Sequence, residues 1–588
     1  MLAVDQISLL ILRRALGPVS KDVGSAERET RMTDLIVTNA KIATVDASNS
    51  IAEAVAVNGE KITAVGRTGE ISALANPDTR IVDAGGRAVI PGMMDGHAHM
   101  DREGLKDIFP SLEGCRSVGD VLDHIRALAA NAAPGEWIVT MPVGDPPYYW
   151  NVPGCLAENR FPTRQELDEA APNNPVYIRP IWGFWRHQLP LESVANSAAL
   201  DLAGISKNTQ PATVSMEFEK DSAGELTGLI RENTFMPVAE LGYFHIAPRF
   251  TASDRVSGLK RAMRIYNSTG TTSVLEEHGA AQELINTYQA IHAAGDATVR
   301  AHLVYSPAWG GTQDIEYTTV MQNWTAWLGQ RGLGDDWLRV GGMFTDTGMD
   351  ADAVFRAGAA PYTGWSGFNY DNGVPQNRMV EFMIEAARSN IRLAVIGPRF
   401  LEMFEEVNRA VPITDKRWII GHLDVMNDEQ IKKAADLGVV MTTHTNRYIY
   451  KHGHILREEL GSERLNDIAP LRRLLDAGVN IGLATDNVPT TLFYPMWHAV
   501  SRWNMISEDR IAPDQALSRE DALRCTTMGG AHLTFEEDKK GSIEAGKLAD
   551  MVVLSDDPLS CDEEIIKDIV AETTIVGGKV VYERETAT

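Results

Sequence analysis

Short runs rich in Val, Ile and Thr open and close the chain, and apolar and polar positions alternate within them. Near the start these runs occupy residues 33–46, 52–59 and 61–67, each closed by a turn residue. Matching runs return at 549–558 and 573–583. Runs of this length and composition predict β-strands. We therefore expect β-sheet at both ends of the chain.

The middle of the chain, from about residue 91 to 535, alternates β-like runs with longer amphipathic stretches. Stretches such as 377–390 and 428–438 end in Asn or Gly, as helices often do. This alternation predicts an α/β fold, a (β/α)8 TIM-like barrel inserted in a composite β-sandwich made from both chain ends. Examples of these β-like runs are 175–182, 271–279, 299–307, 338–346, 391–397, 417–424, 438–445 and 479–487, and we expect about eight strands.

The length of the chain requires more than one structural unit. Its 588 residues are several times a typical domain of ~100–200 residues. We divide it into an N-terminal extension, a first part of the β-sandwich, the barrel and a second part of the β-sandwich. In that order the segments are 1–31, 32–90, 91–535 and 536–588.

Charge and hydropathy limit the partners. The 55 Lys and Arg against 80 Asp and Glu give a net charge of −25. Such a charge repels phosphate backbones and anionic lipid surfaces, so we expect neither nucleic acid nor a membrane as partner. No apolar run approaches the ~20 residues of a membrane span. The apolar segment Ile7–Leu12 is too short for a secretion signal, and we expect a cytoplasmic protein.

The most specific chemistry lies in residues 88–101, where His97 and His99 follow a run typical of a buried strand and Asp95 precedes them. In an extended backbone, residues i and i+2 point to the same face, so both imidazoles can reach one ion. An isolated HxH pair can equally be a coincidence on a surface loop. The preceding strand favours a metal site at the C-terminal mouth of the barrel, where such folds carry their chemistry.

The same segment resembles a known family. PGMMDGHAHMD, residues 91–101, resembles the metal-binding opening of the amidohydrolase superfamily. Residues 541–558 are similar to that superfamily's return to its β-sandwich. Residues 161–178, 195–206, 224–232, 421–441 and 479–489 are similar to the amidohydrolase-3 branch, the group that contains N-substituted formamide deformylase. The resemblance implies a metal-dependent hydrolase, usually of C–N bonds.

Four residues match the metal-binding positions of that superfamily. By this resemblance we expect His97, His99, His422 and Asp486 to hold the metal. Asp486 would also be catalytic, moving the proton of the attacking water, and His422 would be catalytic as ligand or hydrogen-bonding partner. We expect a divalent metal, zinc first, with manganese or iron as alternatives.

Two ligands that the resemblance implies have no counterpart. The fifth-strand histidine would fall at Ala394, and the bridging lysine would fall at Gly342 or Met343. None of these side chains replaces a nitrogen or oxygen ligand. We therefore expect one ion per chain rather than two, held by three protein ligands with one open water position.

Other residues near predicted strand ends can complete the site. Glu276, Glu277 and His278 can supply a replacement ligand or an acid/base, but strand alternation sends neighbours to opposite faces, so at most one or two of them reach the mouth. The candidate substrate contacts are His444, His187, Trp150, Trp182 and Arg399. For the aromatic residues among them, Trp150 and Trp182, packing of a loop over the barrel is an equally good explanation.

Taken together, these features predict an amidohydrolase-type enzyme that attacks an amide-type C–N bond of a small organic substrate with a metal-activated water. Lactone or ring-opening hydrolysis, deamination and decarboxylation on the same metal remain alternatives, as does a non-catalytic scaffold. No P-loop, GxGxxG or GxSxG motif favours a nucleotide-binding enzyme or a serine hydrolase. We expect a homodimer.

Overall fold

A computed structural model of the chain describes residues 33–146, 149, 151–181, 189–234, 237–309, 314–348, 351–352, 354–355, 363–369 and 371–585. The predicted extension 1–31 and three candidate substrate contacts, Trp150, Trp182 and His187, lie outside the described residues. Within the described part of the chain, no helix combines the length and apolar character that crossing a membrane requires.

Eight parallel strands form the central sheet, each paired with its neighbour in chain order. The backbone N–H of Gly96 donates to the Leu483 carbonyl at 3.1 Å, so the last strand returns to the first and the ring is nearly closed. The predicted TIM-like barrel is confirmed. The strands are Met93–Asp95 (β1), Thr271–Ala280 (β2), Arg300–Tyr305 (β3), Leu338–Phe344 (β4), Leu393–Ile396 (β5), Ile419–Gly421 (β6), Val440–Thr443 (β7) and Ile481–Leu483 (β8).

The Asp95 carboxylate joins the C-terminal ends of β1 and β8. Its Oδ1 accepts the backbone N–H groups of His97 and Thr485 at 3.1 and 3.0 Å, and its Oδ2 accepts the Thr485 hydroxyl at 2.5 Å. Because Asp95 is fully buried, these bonds compensate the loss of water. The residues that follow the two strands are thereby held side by side.

An apolar layer fills the inside of the barrel. The residues that form the candidate site follow this layer along their strands, toward the C-terminal ends. The layer therefore separates the site from the opposite end of the barrel. Its members are Met94, Leu275, Val304, Phe344, Ala394, Ile419, Val440 and Leu533.

Amphipathic helices cover the outside of the ring. Met379–Arg388, for example, buries Met379, Phe382, Met383 and Ala386, which recur at the i, i+3, i+4, i+7 spacing of one helix face. The α-helices are Thr68–Ser72, Met100–Leu105, Val118–Ala129, Arg164–Ala170, Ser197–Leu202, Ala252–Ser268, Gln282–Ala294, Tyr317–Leu328, Met379–Arg388, Leu401–Ala410, Asp428–Asp436, Gly453–Leu460, Leu471–Asp476, Phe493–Ser501, Arg519–Thr526 and Met528–Leu533.

Shorter elements connect these helices and strands. The 3-10 turns are Phe244–Ile246, Gln376–Arg378, Pro398–Phe400, Ser462–Asp467, Pro513–Gln515 and Glu563–Asp568, and the π-helical turns are Ala239–Tyr243 and Asn446–Lys451. Two-residue strands at Leu333–Gly334, Trp503–Asn504 and Asp509–Arg510 complete the described elements.

Strands from both chain ends build the β-sandwich. Its six-stranded sheet runs in the order Ile51–Ala52, Lys41–Ala43, Ala88–Pro91, Met551–Leu554, Ala571–Val576, Lys579–Glu583. Val89 from the first half pairs with Val553 from the second, which confirms the composite origin predicted from the sequence. The four-stranded sheet runs in the order Lys61–Gly66, Ala54–Asn58, Leu35–Thr38, Arg80–Asp83.

The segment between β1 and β2 carries a further five-stranded sheet, which the sequence pattern did not reveal. The run at 175–182 was expected in the barrel alternation; its strand Val176–Ile178 lies here instead, and that prediction is wrong. A short run buried on both faces looks the same in either sheet, because periodicity does not identify its pairing partners. The order is Met216–Lys220, Leu226–Glu232, Leu191–Ala195, Val176–Ile178, Ile138–Thr140.

Candidate metal centre

Five histidines from four strands meet at the C-terminal mouth of the barrel. His97 and His99 follow β1, His278 lies near the end of β2, His422 follows β6 and His444 follows β7. The ring of His97 lies 4.4 Å from that of His444 and 5.1 Å from those of His99 and His422, centroid to centroid. Sequence positions up to 347 residues apart therefore converge on one small volume.

Two sets of three histidines can each direct one ring nitrogen per residue toward a shared point. One set is His97, His99 and His278, and the other is His97, His422 and His444. Within each set the nitrogens lie within 4.8 Å of one another. His97 belongs to both sets and is the centre of the cluster.

Asp486 completes the cluster from β8. Its Oδ1 lies 3.4 Å from His99 Nε2, and its Oδ2 lies 3.4 Å from His444 Nδ1. Burial opposes ionisation of this carboxyl, but the charges and hydrogen bonding of His444 and His97 outweigh it, so the pKa of Asp486 falls below its ordinary value. The carboxylate is therefore ionised at neutral pH.

Most imidazoles of the cluster are held in the neutral form, which is the form that binds metals. Burial, reinforced by neighbouring positive groups, places the pKa of His99, His278 and His422 well below the ordinary value. A neutral imidazole offers a nitrogen lone pair, whereas an imidazolium offers none. His97 differs: burial lowers its pKa, but the Glu277 carboxylate more than compensates and raises it.

Several donor atoms at the centre fit a divalent metal ion. Nε2 of His97 and Nε2 of His444 are buried and form no hydrogen bond within the described part of the chain, and the same holds for Oδ1 of Asp486. Burying such atoms without a partner is unfavourable. Imidazole nitrogen and carboxylate oxygen are the ligands that zinc takes in catalytic sites. The residues present therefore fit such an ion.

β4 and β5 contribute apolar side chains where the resemblance implied ligands. Phe344 and Ala394 point into the barrel, and Met343 is buried in the core outside it. The ring of His278 packs 4.4 Å from Phe344 and stacks on Phe368 at 4.2 Å. Within the described residues, the cluster has two imidazoles beyond the predicted ligands His97, His99 and His422. They belong to His278 of β2 and His444 after β7.

Adjacent residues of β2 take separate roles. Glu276 faces the helix layer, where it accepts the Met100 N–H at 2.9 Å and the Tyr288 hydroxyl at 2.7 Å, and burial raises its pKa to about 8. Glu277 and His278 both face the histidine cluster. Regular alternation would separate these two, but the pairing register of β2 with β3 shifts between Glu276 and Ala280.

The residues that follow β6 and β8 adopt an uncommon backbone conformation. His422, Asp486 and Asn487 have φ of 54°, 51° and 60°. His, Asp and Asn are among the non-glycine residues that adopt this left-handed region most readily. The sequence therefore has residue types that tolerate this conformation where the chain leaves β6 and β8.

Three residues that support the site were not predicted from the sequence. Tyr448, on the π-helical turn after β7, places its hydroxyl 3.4 Å from His422 Nδ1. The Thr442 hydroxyl donates to the Glu277 carboxylate. The Asn487 side chain accepts the backbone N–H of His99. Each lies close to a predicted strand end, which is the only signal that the sequence offered. Among the candidate substrate contacts, His444 joins the cluster, and Arg399 forms an ion pair with Asp346.

Comparison with known proteins agrees with this fold. The profile of the amidohydrolase family matches residues 80–582. N-substituted formamide deformylase from Arthrobacter pascens is 29% identical, with 94% of this chain and 99% of that protein aligned. Protein LONG AFTER FAR-RED 3 from Arabidopsis thaliana is 25% identical over 94% of this chain and 92% of its own length.

A solved structure shows the same fold. The crystal structure of an uncharacterized metal-dependent hydrolase from Pyrococcus horikoshii superposes with a TM-score of 0.65 at 20% identity, covering 90% of this chain and 99% of that one. The barrel, its composite β-sandwich and the histidine cluster define an amidohydrolase-type enzyme. The chain belongs to the amidohydrolase family. The predicted family and the predicted enzyme class, hydrolases of C–N bonds other than peptide bonds, are confirmed.

Proposed function

We propose that this protein cleaves an amide-type C–N bond of a small organic molecule with a metal-activated water. One observation carries the proposal: the ionised Asp486 carboxylate lies 3.4 Å from the ring nitrogens of both His99 and His444, and the buried Nε2 of His97 belongs to the same cluster. This is a base placed within a set of metal-binding groups. Membership of the amidohydrolase family supports it.

The donor set favours a single zinc ion. Nδ1 of His97 is engaged by Glu277 at 3.0 Å, which leaves Nε2 as the nitrogen that can bind a metal. One imidazole lone pair binds one ion. Because His97 belongs to both histidine sets, two ions cannot each take the complete set.

The residues of the centre divide the chemistry between them. A zinc ion held there would supply an acidified water and a Lewis acid for the substrate carbonyl. Asp486 is placed to accept the proton of the water and to deliver it to the leaving nitrogen, which must be protonated to depart. His422, oriented by the Tyr448 hydroxyl at 3.4 Å, is placed to stabilise negative charge on the substrate oxygen.

The activity named for one relative suggests which class of substrate to test first. The chain and the deformylase from Arthrobacter pascens align over almost their whole lengths. N-substituted formamides are therefore the compounds to test first, followed by other N-acyl compounds. Hydrolysis of a formamide releases formate and an amine, and both products can be measured directly.

The proposal is tested by turnover and metal content in the same preparations. We expect the zinc-loaded chain to release equal amounts of formate and amine. His97→Ala should lose both metal and turnover, and Asp486→Asn should lower kcat by about 10³-fold or more while it keeps part of the metal. His292→Ala, a surface histidine paired with Asp335, is the matched control and should change neither.

Each alternative reaction has its own product. Release of ammonia without formate would support deamination, and release of CO₂ would support decarboxylation. Unchanged turnover in a His97→Ala preparation that has lost all its metal would exclude the proposed chemistry.

A further inference from the structure

We propose that Glu277 is a positioning residue that fixes the tautomer and the orientation of His97, so that His97 Nε2 faces the metal, and that Glu277 is not itself a ligand. This inference rests on the proposed function, because it assumes that the histidine cluster binds an ion. It assigns distinct roles to the three neighbouring candidates of β2.

The contact between the two side chains is direct and fully enclosed. Glu277 Oε2 lies 3.0 Å from His97 Nδ1, and both side chains have no exposed surface. A carboxylate only accepts hydrogen bonds, so His97 must carry its proton on Nδ1. The lone pair is thereby left on Nε2, the buried atom without a hydrogen-bond partner among the described residues.

Two further strands hold the carboxylate in place. The Thr442 hydroxyl of β7 donates to the same Oε2, so the Glu277 side chain reaches from β2 across the barrel. Glu277 Oε1 is also buried without a hydrogen-bond partner among the described residues, but it lies against β6, where a Cβ at residue 421 would overlap it and glycine leaves the space open. Three strands therefore shape one carboxylate position, which is more than a chance contact requires.

Such a carboxylate affects metal binding in a known way. A hydrogen bond to the ring nitrogen opposite the metal fixes the ligand and increases its basicity, and its removal typically weakens metal affinity by about 10–100-fold. Glu277 occupies this position, because its Oε2 lies 3.0 Å from His97 Nδ1, the ring nitrogen opposite Nε2.

Glu276 provides a matched control on the adjacent position. It is equally buried but bonds to the Met100 N–H and the Tyr288 hydroxyl, on the helix side of β2. A Gln side chain keeps an oxygen that can accept both of these hydrogen bonds, so Glu276→Gln preserves the contacts of this position.

The experiment measures metal affinity rather than turnover. Zn²⁺ and Co²⁺ are titrated against a chromophoric chelator in the full-length wild type, Glu277→Gln and Glu276→Gln. We expect Glu277→Gln to weaken both metals by about 10–100-fold and to shift the visible absorption bands of bound Co²⁺. Glu276→Gln should stay within about 3-fold and keep the wild-type bands. A general loss of packing would not move the Co²⁺ bands selectively.

Two further variants keep the inference testable if Glu277→Gln does not fold. Thr442→Val keeps the carboxylate but removes one of its donors, and we expect a loss of affinity below about 10-fold. Gly421→Ala displaces the carboxylate and should match Glu277→Gln. The double variant Thr442→Val/Gly421→Ala should lose little more than Gly421→Ala alone, because both substitutions act through the same contact.

The outcomes separate this inference from the proposed function. A wild type that binds no metal overturns both. A wild type that binds zinc, with Glu277→Gln binding it equally well, overturns only the role of Glu277. A crystal structure of the zinc-loaded protein with a Glu277 oxygen at about 2.0–2.2 Å from zinc would make Glu277 a ligand and would also overturn it.

Discussion

Asn487 brackets the backbone of His99 with both ends of its side-chain amide. Its Oδ1 accepts the His99 N–H at 3.1 Å, and its Nδ2 donates to the His99 carbonyl. The Tyr266 hydroxyl donates to the same Oδ1 at 2.5 Å. Because Asn487 directly follows Asp486, this bracket sets the spacing between the last-strand carboxylate and the first-strand imidazole.

Replacement of Asn487 should therefore damage both stability and the metal centre. In Asn487→Ala, the His99 backbone groups and the Tyr266 hydroxyl lose their buried partners, and we expect the free energy of unfolding to fall by about 2–4 kcal/mol. Chemical denaturation measures this change. Tyr266→Phe removes only one of these bonds and should cost about 1 kcal/mol. Equal effects of the two variants would contradict the bracketing role.

A close helix contact supports the segment that carries His99. A Cβ on Gly104 would overlap the backbone carbonyl of Gly258, where the helices Met100–Leu105 and Ala252–Ser268 meet. Backbone cannot move aside as a flexible side chain can, so we expect Gly104→Ala to destabilise the protein by about 2–3 kcal/mol. Gly69→Ala is the control, because its Cβ would meet no atom within 4 Å and should be neutral or stabilising. A thermal midpoint of Gly104→Ala at or above that of Gly69→Ala would contradict this prediction.

Glu232 should make the stability of the protein depend on pH. It is fully buried in the five-stranded sheet formed by the chain segment between β1 and β2. Burial raises its pKa from 4.5 to about 8. Between these values the folded chain keeps the proton while the unfolded chain releases it, so stability falls as pH rises from about 4.5 to 8. The loss is at most roughly 5 kcal/mol. Glu232→Gln should flatten this dependence.

The measurement is the thermal midpoint of the wild type and of Glu232→Gln at pH 5.5 and pH 8. We expect the difference between the two proteins to be small at pH 5.5 and to favour the variant at pH 8. A wild type and a variant with parallel pH profiles would show that Glu232 is ionised in the folded protein.

Metal removal should lower thermal stability reversibly. A ligand that binds only the folded state stabilises it by about 2.7 kcal/mol at a free concentration of 100 times its Kd. Dialysis against a chelator should lower the thermal midpoint, and added zinc should restore it. His97→Ala should show no zinc-dependent shift, and a shift as large as that of the wild type would contradict the assignment of His97.

The barrel and the residues His97, His99, His422 and Asp486 could be predicted from the sequence for a physical reason. Each residue follows an apolar run, and the C-terminal ends of parallel barrel strands share one edge. The resemblance to the amidohydrolase superfamily identified these four residues, and the shared edge explains why their side chains meet. Their roles as ligands remain predictions.

The remaining features depend on contacts that local patterns do not encode. Alternation indicated that Glu276 and Glu277 face opposite ways, but it could not foresee the shifted register that brings Glu277 and His278 to the same face. His444 follows β7 as regularly as His422 follows β6, yet only the structure, in which β6 pairs with β7, shows that the centroids of their imidazoles lie 4.0 Å apart. The strand Val176–Ile178 was misplaced because its burial matches either sheet.

Elemental analysis of the purified chain tests the proposed metal centre most directly. Expressed with zinc in the medium, the wild type should contain about one zinc per chain, because both histidine sets depend on the single available nitrogen of His97. His97→Ala should contain almost none. Two equivalents in the wild type, or an unchanged content in His97→Ala, would contradict a single zinc centred on His97.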